Sequence, residues 1–383
     1  MKNIFNIIIN LFDLVKKELS VILTSFSIMT VIIAGNIIYA FFYPSPYLND
    51  ILLKQKIAVV DDDVSSFSRQ LIFNANASSK IQIIANTSMQ EAKQLIEQNK
   101  IYGILYIPKD FEKNAINSSI PKLYYMANNS YFLIYSNILE GLNNAANALD
   151  FENKKRLFNS QTIKQEKELL KIEFIPLYNP SVGYLNYILA VILIFILHQT
   201  ILISCGILCG MQVQQYNQGK REYFSSVNPF WLIFSRISAF IIIYFPLFLF
   251  YFGFIYDFYN LTTFAGKLEL ICFGVVFIVS ASSFGIFIGF IFNRREYPPQ
   301  IVLVMSMPLL FALGVIWPNE NIPYWIKFFM DFIPITASIN GFLKINQFSA
   351  DFSKIWGEFL HLFLLGTLYS LASYLILRKR FSK

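Results

Sequence analysis

The chain has 383 residues, 55% of them hydrophobic and only 14% charged, with a mean hydropathy of +0.50. That balance excludes an ordinary soluble domain and fits a polytopic α-helical membrane protein. The formal charge of +7 does not point to nucleic acid, because the basic residues gather at the ends of apolar runs.

Residues 1–18 are apolar but interrupted by Asn and Asp, and they close on Lys16-Lys17, which predicts an amphipathic interfacial helix. A cleaved signal peptide fits poorly, since the apolar run that follows is long and lacks a small-x-small site. No charge occurs from Leu19 to Leu48, enough for transmembrane helix 1 over 19–48. Tyr39, Tyr43 and Tyr47, with Pro44 and Pro46, mark its far interface.

Residues 50–180 change character, with frequent charges and Asn. Strands are predicted at 57–60, 81–84, 102–107 and 123–126, and helices at 64–74 and 88–99, the second opened by the capping-box pattern Ser88-Met89-Gln90-Glu91. This reads as an inserted α+β domain, followed from about residue 131 to 170 by a polar helical stretch expected to stand out as a stalk. Asp61-Asp62-Asp63 could open a calcium loop or carry an aspartyl nucleophile. A calcium loop needs Gly at its sixth position and Glu at its twelfth, and neither is present. The simpler reading is that Asp63 or a neighbour caps the following helix.

Five further spans are predicted at 187–210, 230–253, 270–292, 299–317 and 359–377, a five-helix domain over 187–377 that makes six spans with the first. A basic tail, 378–383, follows. Cys205, Cys209 and Cys272 lie inside these spans, form no CxxC pair and read as packing residues. Gly206 and Gly210 on one span, and Ala281, Gly285 and Gly289 on another, set small residues on single helix faces, where a second copy or a related half could approach. Pro318, Pro323 and Pro334 cut the stretch near 318–347 into a re-entrant segment that also holds Thr336, Gly341 and Asn346. His198-Gln199 lies mid-span, and an interhelical hydrogen bond is the favoured role, because no span offers a carboxylate to relay a proton. Arg236, near the start of its span, is expected to snorkel to the surface.

Basic residues sort by side. Lys2, Lys16, Lys17, Lys220, Arg221, Arg294, Arg295, Arg378, Lys379, Arg380 and Lys383 fall on one side, against Lys267, Lys327, Lys344 and Lys354 on the other. The positive-inside rule then places both termini in the cytoplasm and residues 50–180 outside.

Several short motifs in order resemble the permease subunits of ABC-2 type transporters, specifically bacterial exporters with a large periplasmic domain between the first two helices. They are Asp61-x-Asp63-x-Ser65-x-x-Ser68-Arg69, Ile107-Pro108-x-Asp110-Phe111, Tyr178-Asn179-Pro180, His198-Gln199-Thr200, Arg294-Arg295-Glu296, Trp317-Pro318 with Ile322-Pro323, and Pro334-x-Thr336 running on to Gly341 through Gln347. The resemblance implies an inner-membrane permease, itself not an enzyme and binding no cofactor, that uses ATP through a cytoplasmic ABC ATPase subunit. It also implies a second permease half, as homodimer or related permease, and a periplasmic adaptor. Membrane lipid is its surrounding, and nucleic acid is not expected. The loop between the second and third helices would dock the ATPase. Here Gln215, Asn217 and Gly219-Lys220 stand where the family carries two acidic residues before Gly-Thr, with Arg221 and Glu222 following in the same loop, which puts its usual charge pairs in doubt. In keeping with a separate motor, the chain holds no G-x-x-x-x-G-K-[ST].

Rival classes fare worse. A receptor or sensor with a periplasmic binding domain would need a cytoplasmic signalling domain, and the longest cytoplasmic segment is about twenty residues. A membrane enzyme or an ion-coupled carrier would need acids, bases or metal ligands gathered within or at the face of the spans.

Overall fold

The computed structural model describes residues 2–47, 53–116, 121–127, 132–159, 184–292, 294–314, 316, 319–346 and 350–381. Contacts divide the chain into two units, Met1–Leu48 with Pro176–Lys383, and Asn49–Ile175. Each has its own hydrophobic core.

The first helix, α1 (Lys2–Thr24), runs unbroken through the boundary expected at residue 18. It ends where Thr24 Oγ1 turns back to the Ser20 carbonyl at 2.7 Å and Ser25 leaves helical geometry. Beyond it α2 (Phe26–Met29), a π-helical segment (Thr30–Gly35) and α3 (Asn36–Phe42) form the apolar span Phe26–Tyr47. One buried stripe follows both pieces: Leu14, Glu18 and Ile22, then Ile28, Ile32, Asn36 and Ala40. Four-residue spacing puts each set on a single helix face. Two members of the stripe are polar, and both have partners described below.

The second unit runs β1 (Gln55–Asp61), α4 (Ser66–Ala77), β2 (Ile81–Asn86), α5 (Met89–Glu97), β3 (Gly103–Ile107), α6 (Phe111–Ile116), β4 (Tyr124–Ala127) and α7 (Phe132–Asn159). Strand order is β2-β1-β3-β4, with β1 parallel to both neighbours and β4 antiparallel at the edge. The stretch read as α+β is therefore built from parallel βαβ crossovers, as its strand–helix alternation requires. Ile57, Val59, Leu105 and Ile107 face α4 and α7, while Ala58, Val60 and Ile104 face α5. Near-continuous apolar strands are what a sheet covered on both faces demands.

The expected stalk is corrected over its described part. Ile138, Leu142, Ala145 and Leu149 are buried in the core against β1 and α4, and Lys80 pairs with Glu140. This i, i+4, i+7, i+11 stripe is sparse among Asn, Ser and Glu, so average polarity conceals it. Residues 160–170, and the Tyr178-Asn179-Pro180 motif, lie outside the described residues.

The acidic triplet is consumed by turn and cap chemistry. Ser65, not Asp63, caps α4, in a reciprocal box with Ser68. Asp61 accepts from the backbone N–H of Asp63 and Val64 and from the Ser68 hydroxyl. Asp63 caps a different helix, accepting from the N–H groups of Phe111 at 2.9 Å and Glu112 at 3.1 Å at the start of α6. Burial pushes its carboxyl pKa up, but hydrogen bonds from Ser65 and from the backbone of Glu112, Phe111 and Asp110 outweigh this and hold it below 3.8. The turn forces Val64, an exposed β-branched residue, to φ 48°. That region costs an L-residue about 1–2 kcal/mol and is easiest for Gly and Asn. Val64→Asn should stabilise this unit by about 1 kcal/mol, read as slower amide exchange in β1 and β3. Faster exchange would contradict the strain argument.

The chain then returns to the membrane unit through α8 (Tyr184–Asn217), α9 (Tyr223–Ser226) and α10 (Pro229–Leu249). A second π-helical segment (Phe250–Ile255) and α11 (Tyr256–Phe258) complete that span, and α12 (Lys267–Ile291) and α13 (Tyr297–Ala312) follow. The bent pair α14 (Tyr324–Met330) and α15 (Pro334–Asn346), and finally α16 (Phe352–Phe381), close the unit. Among the described residues five helices are long and apolar enough to cross a membrane, or six if the bent pair counts as one. The span expected over 299–317 is corrected. The α13 helix has 16 residues, which at about 1.5 Å each falls short of a hydrocarbon core of about 30 Å.

The α14–α15 break is a bend of 90° across residues 331–333, just before Pro334. Proline cannot donate to the preceding turn, so carbonyls are freed at membrane depth. Side chains take them up: Thr336 Oγ1 on Met330 O, a His361 ring nitrogen at 2.8 Å from Asp331 O, and the Tyr369 hydroxyl on Phe332 O. The far end of α15 is held by Asn346, whose Oδ1 accepts from Thr263, whose Nδ2 donates to Tyr256 and whose carbonyl accepts from Phe264 N–H. A Cβ at Gly341 would sit 2.4 Å from the Phe273 ring. Pro323 is the N-cap of α14, and Pro318 lies outside the described residues.

Candidate functional site

The centre of the membrane unit is α8, whose apolar window is 94% buried by its own chain. A helix apolar on every face is read as a core helix, and Gly206 and Gly210 let its neighbours approach. Cβ atoms added there would lie 2.4 Å from Pro298 Cβ and 2.9 Å from the Arg294 carbonyl oxygen. Cβ atoms on Gly285 and Gly289 of α12 would lie 2.8 Å from Cys205 Cβ and 2.6 Å from Cys209 Cβ. Ala281 is buried in the same core. The small-residue faces that the sequence offers to a second half are thus filled inside the chain, and a second half would have to meet other surface.

At its C-terminus α8 stops at Gly219, φ +84°, with Gly219 N–H on the Tyr216 carbonyl and Lys220 N–H on that of Gln215. This is a Schellman close, which needs the left-handed residue glycine supplies. Asn217, Gly219, Lys220, Arg221 and Glu222 are exposed, whereas Gln215 is half-buried. After this polar tip the loop turns back into the protein. Phe224 of α9 is fully buried, and Asn228 caps α10 through Phe230 N–H at 2.9 Å.

Beneath the loop lies a sealed ionic cluster. Arg236 of α10 donates from Nε and Nη2 to the two carboxylate oxygens of Glu18 of α1, at 2.8 and 3.0 Å. Nη2 also reaches Gln212 Oε1 at 2.6 Å, and Nη1 reaches Cys209 Sγ at 3.1 Å. Phe290 of α12 lies under the guanidinium, 5.5 Å away. Tyr223, at the root of the loop, donates to Glu18 Oε1 at 2.9 Å and accepts from Gln212 Nε2 at 3.3 Å. Glu18 and Arg236 are both completely inaccessible. Burial raises the Tyr223 hydroxyl pKa, and the neighbouring Glu18 charge adds to it.

The expectation that Arg236 snorkels is therefore wrong. Its charge is met inside by a carboxylate 218 residues earlier in the chain, a bidentate fit only a guanidinium makes. Glu18, at the end of the helix expected to lie on the membrane surface, is not marked by any motif in the sequence. The available signal was its place in the stripe Leu14, Glu18, Ile22, where an acid on an apolar face demands a cation.

A second polar knot ties the first span to α8 and the second π-segment. Asn36 Nδ2 donates to the Ile32 carbonyl and to Thr200 Oγ1, and the Tyr251 hydroxyl donates to Asn36 O at 2.8 Å. The side chains of His198 and Gln199, the neighbours of Thr200, make no hydrogen bond. The interhelical bond expected of them belongs to Thr200. Among the described residues no group of three His, Cys, Asp or Glu side chains could hold a metal.

Long apolar helices around a buried central one, with a small α/β unit between the first two spans, define a multi-pass membrane protein. A family model described as "ABC-2 family transporter protein" matches residues 19–375, and the chain belongs to that family, as a permease component of an ABC transporter. Its motor partner is in general terms an ABC ATPase. Among curated proteins none matches the chain.

Proposed function

We propose that this chain is the membrane half of an ATP-driven exporter in a bacterial inner membrane. It supplies the path while a separate ATPase docks on the α8–α10 loop. Both chain ends and that loop lie on the ATPase side, residues 50–180 lie on the opposite side, where an adaptor would meet them, and a second half completes the conduit. The carrying observation is that the exposed tip Gly219–Glu222 is rooted through Tyr223 in the sealed Glu18–Arg236 cluster. A push on the tip is passed to α1, α8 and α10 together, because close-packed interiors and paired buried charges transmit displacement rather than absorb it.

The tip lacks the family's two acids, so docking here rests on Lys220, Arg221, Glu222 and backbone groups. The test is co-purification of the ATPase with the wild-type permease and with Lys220→Ala/Arg221→Ala/Glu222→Ala. These side chains are exposed and outside the core, so the variant should fold and lose at least tenfold in bound ATPase. Unchanged binding would remove this loop as the docking site.

A further inference from the structure

The buried polar side chains described on α8 find partners with two adjacent exceptions. Thr200 bonds Asn36 and the Ile196 carbonyl, Ser204 meets the Tyr244 hydroxyl at 3.1 Å, and Gln212 joins the ionic cluster. Between these satisfied residues and the apolar turns before them, both ring nitrogens of His198 and both amide atoms of Gln199 are sealed with nothing to bond. His198 is completely inaccessible and Gln199 8% exposed. A buried polar group left unmatched costs about 1–3 kcal/mol, and few native interiors carry four such atoms on consecutive residues. Leucine at either position would remove that cost, so packing alone does not account for them.

We propose that His198 and Gln199 form a cargo-binding point of the conduit, closed in this state, that takes a neutral hydrogen-bonding group carried on an apolar body. The inference rests on the exporter reading and deepens it. A neutral imidazole offers one donor and one acceptor, and the Gln amide offers two donors and an acceptor. Together they match a hydroxyl or amide group, which also pairs a donor with an acceptor. The α8 helix carries no charged residue to balance an ionised cargo group, and Leu197 and Ile201, which flank the pair on the helix, are buried in the unit's apolar core. When the helices of this chain that pack around α8 separate from it, water and then cargo would satisfy the four atoms, so opening recovers the free energy their closure costs.

Two measurements on the full-length protein test this. In the first, His198→Leu and Gln199→Leu are melted in detergent without any ATPase. Each should raise the unfolding midpoint by about 2–4 °C, the equivalent of roughly 1 kcal/mol. A lower midpoint would mean that these side chains hold the fold, and it would overturn the proposal. In the second, Gln199→Cys is placed in a Cys205→Ala/Cys209→Ser/Cys272→Ala background, reconstituted with the ATPase and exposed to a membrane-impermeant methanethiosulfonate. Labelling should rise at least tenfold during ATP turnover. Equal labelling with and without ATP, or none in either while ATP is being hydrolysed, would overturn it. If the permease does not associate with the ATPase at all, the exporter reading itself has failed, and this inference falls with it.

Discussion

Glu18→Ala is expected to destabilise the membrane unit by about 3–5 kcal/mol, the usual result of stranding one member of a sealed ion pair. The guanidinium of Arg236 would keep Gln212 and Cys209 as neighbours but lose both carboxylate contacts, and Tyr223 would lose its acceptor. Arg236→Ala should cost a similar amount, since it leaves the carboxylate alone. Glu18→Leu/Arg236→Met separates stability from function. Taking out both charges at near-constant volume is often neutral or stabilising, so this variant should melt close to wild type. If the cluster links the docking loop to the helices, the same variant should still bind the ATPase yet lose most of its transport per ATP. Thermal unfolding in detergent reads the first effect, and ATP turnover measured alongside transport in proteoliposomes reads the second. A single variant that melts like wild type would show that Arg236 finds water after all.

The other large effect is at Gly289. A Cβ there would stand 2.6 Å from Cys209 Cβ and 3.0 Å from Gly206 Cα, and neither atom sits at the end of a flexible side chain. Gly289→Ala must therefore move α8 and α12 apart, and overpacking of this kind costs about 1–3 kcal/mol. Gly357 of α16 supplies the contrast, with nothing within 4 Å of its added Cβ. Gly357→Ala should gain about 0.5–1 kcal/mol from helix propensity alone. Thermal melts of the two variants should move in opposite directions. If the Gly289 face were instead a contact between halves, its alanine variant would leave the single chain's melting unchanged and weaken only association.

Much of the architecture was legible before any coordinate. Apolar runs located the first span and those at α8, α10, α12 and α16, because the length needed to cross hydrocarbon is set by helix rise. Ser88 and Glu91 announced the start of α5, and the alternation over 57–107 announced three strands with helices between them. What escaped was the identity of partners. The helix after the acidic triplet is capped by Ser65, a neighbour of Asp63 as expected, but Asp63 itself caps a helix that starts 48 residues on. Arg236 had no visible acid within its own span, and the acid it uses belongs to a helix that looked superficial. The α7 stripe was hidden by its polar neighbours, and Pro308 inside α13 gave no warning that this helix would stop at Ala312.

The sequence by itself determined that this chain lives in a membrane, where most of its crossings fall and where the small α/β unit begins. These are properties of periodicity and composition, which depend on neighbours within a few residues. Only the tertiary structure decided that the glycine faces are spent inside the chain, that Glu18 and Arg236 neutralise one another beneath the α8–α10 loop, and that His198 and Gln199 are sealed without partners. Each of those depends on which surfaces meet across tens to hundreds of residues. A helix pattern says which face will be buried, but it does not say against what.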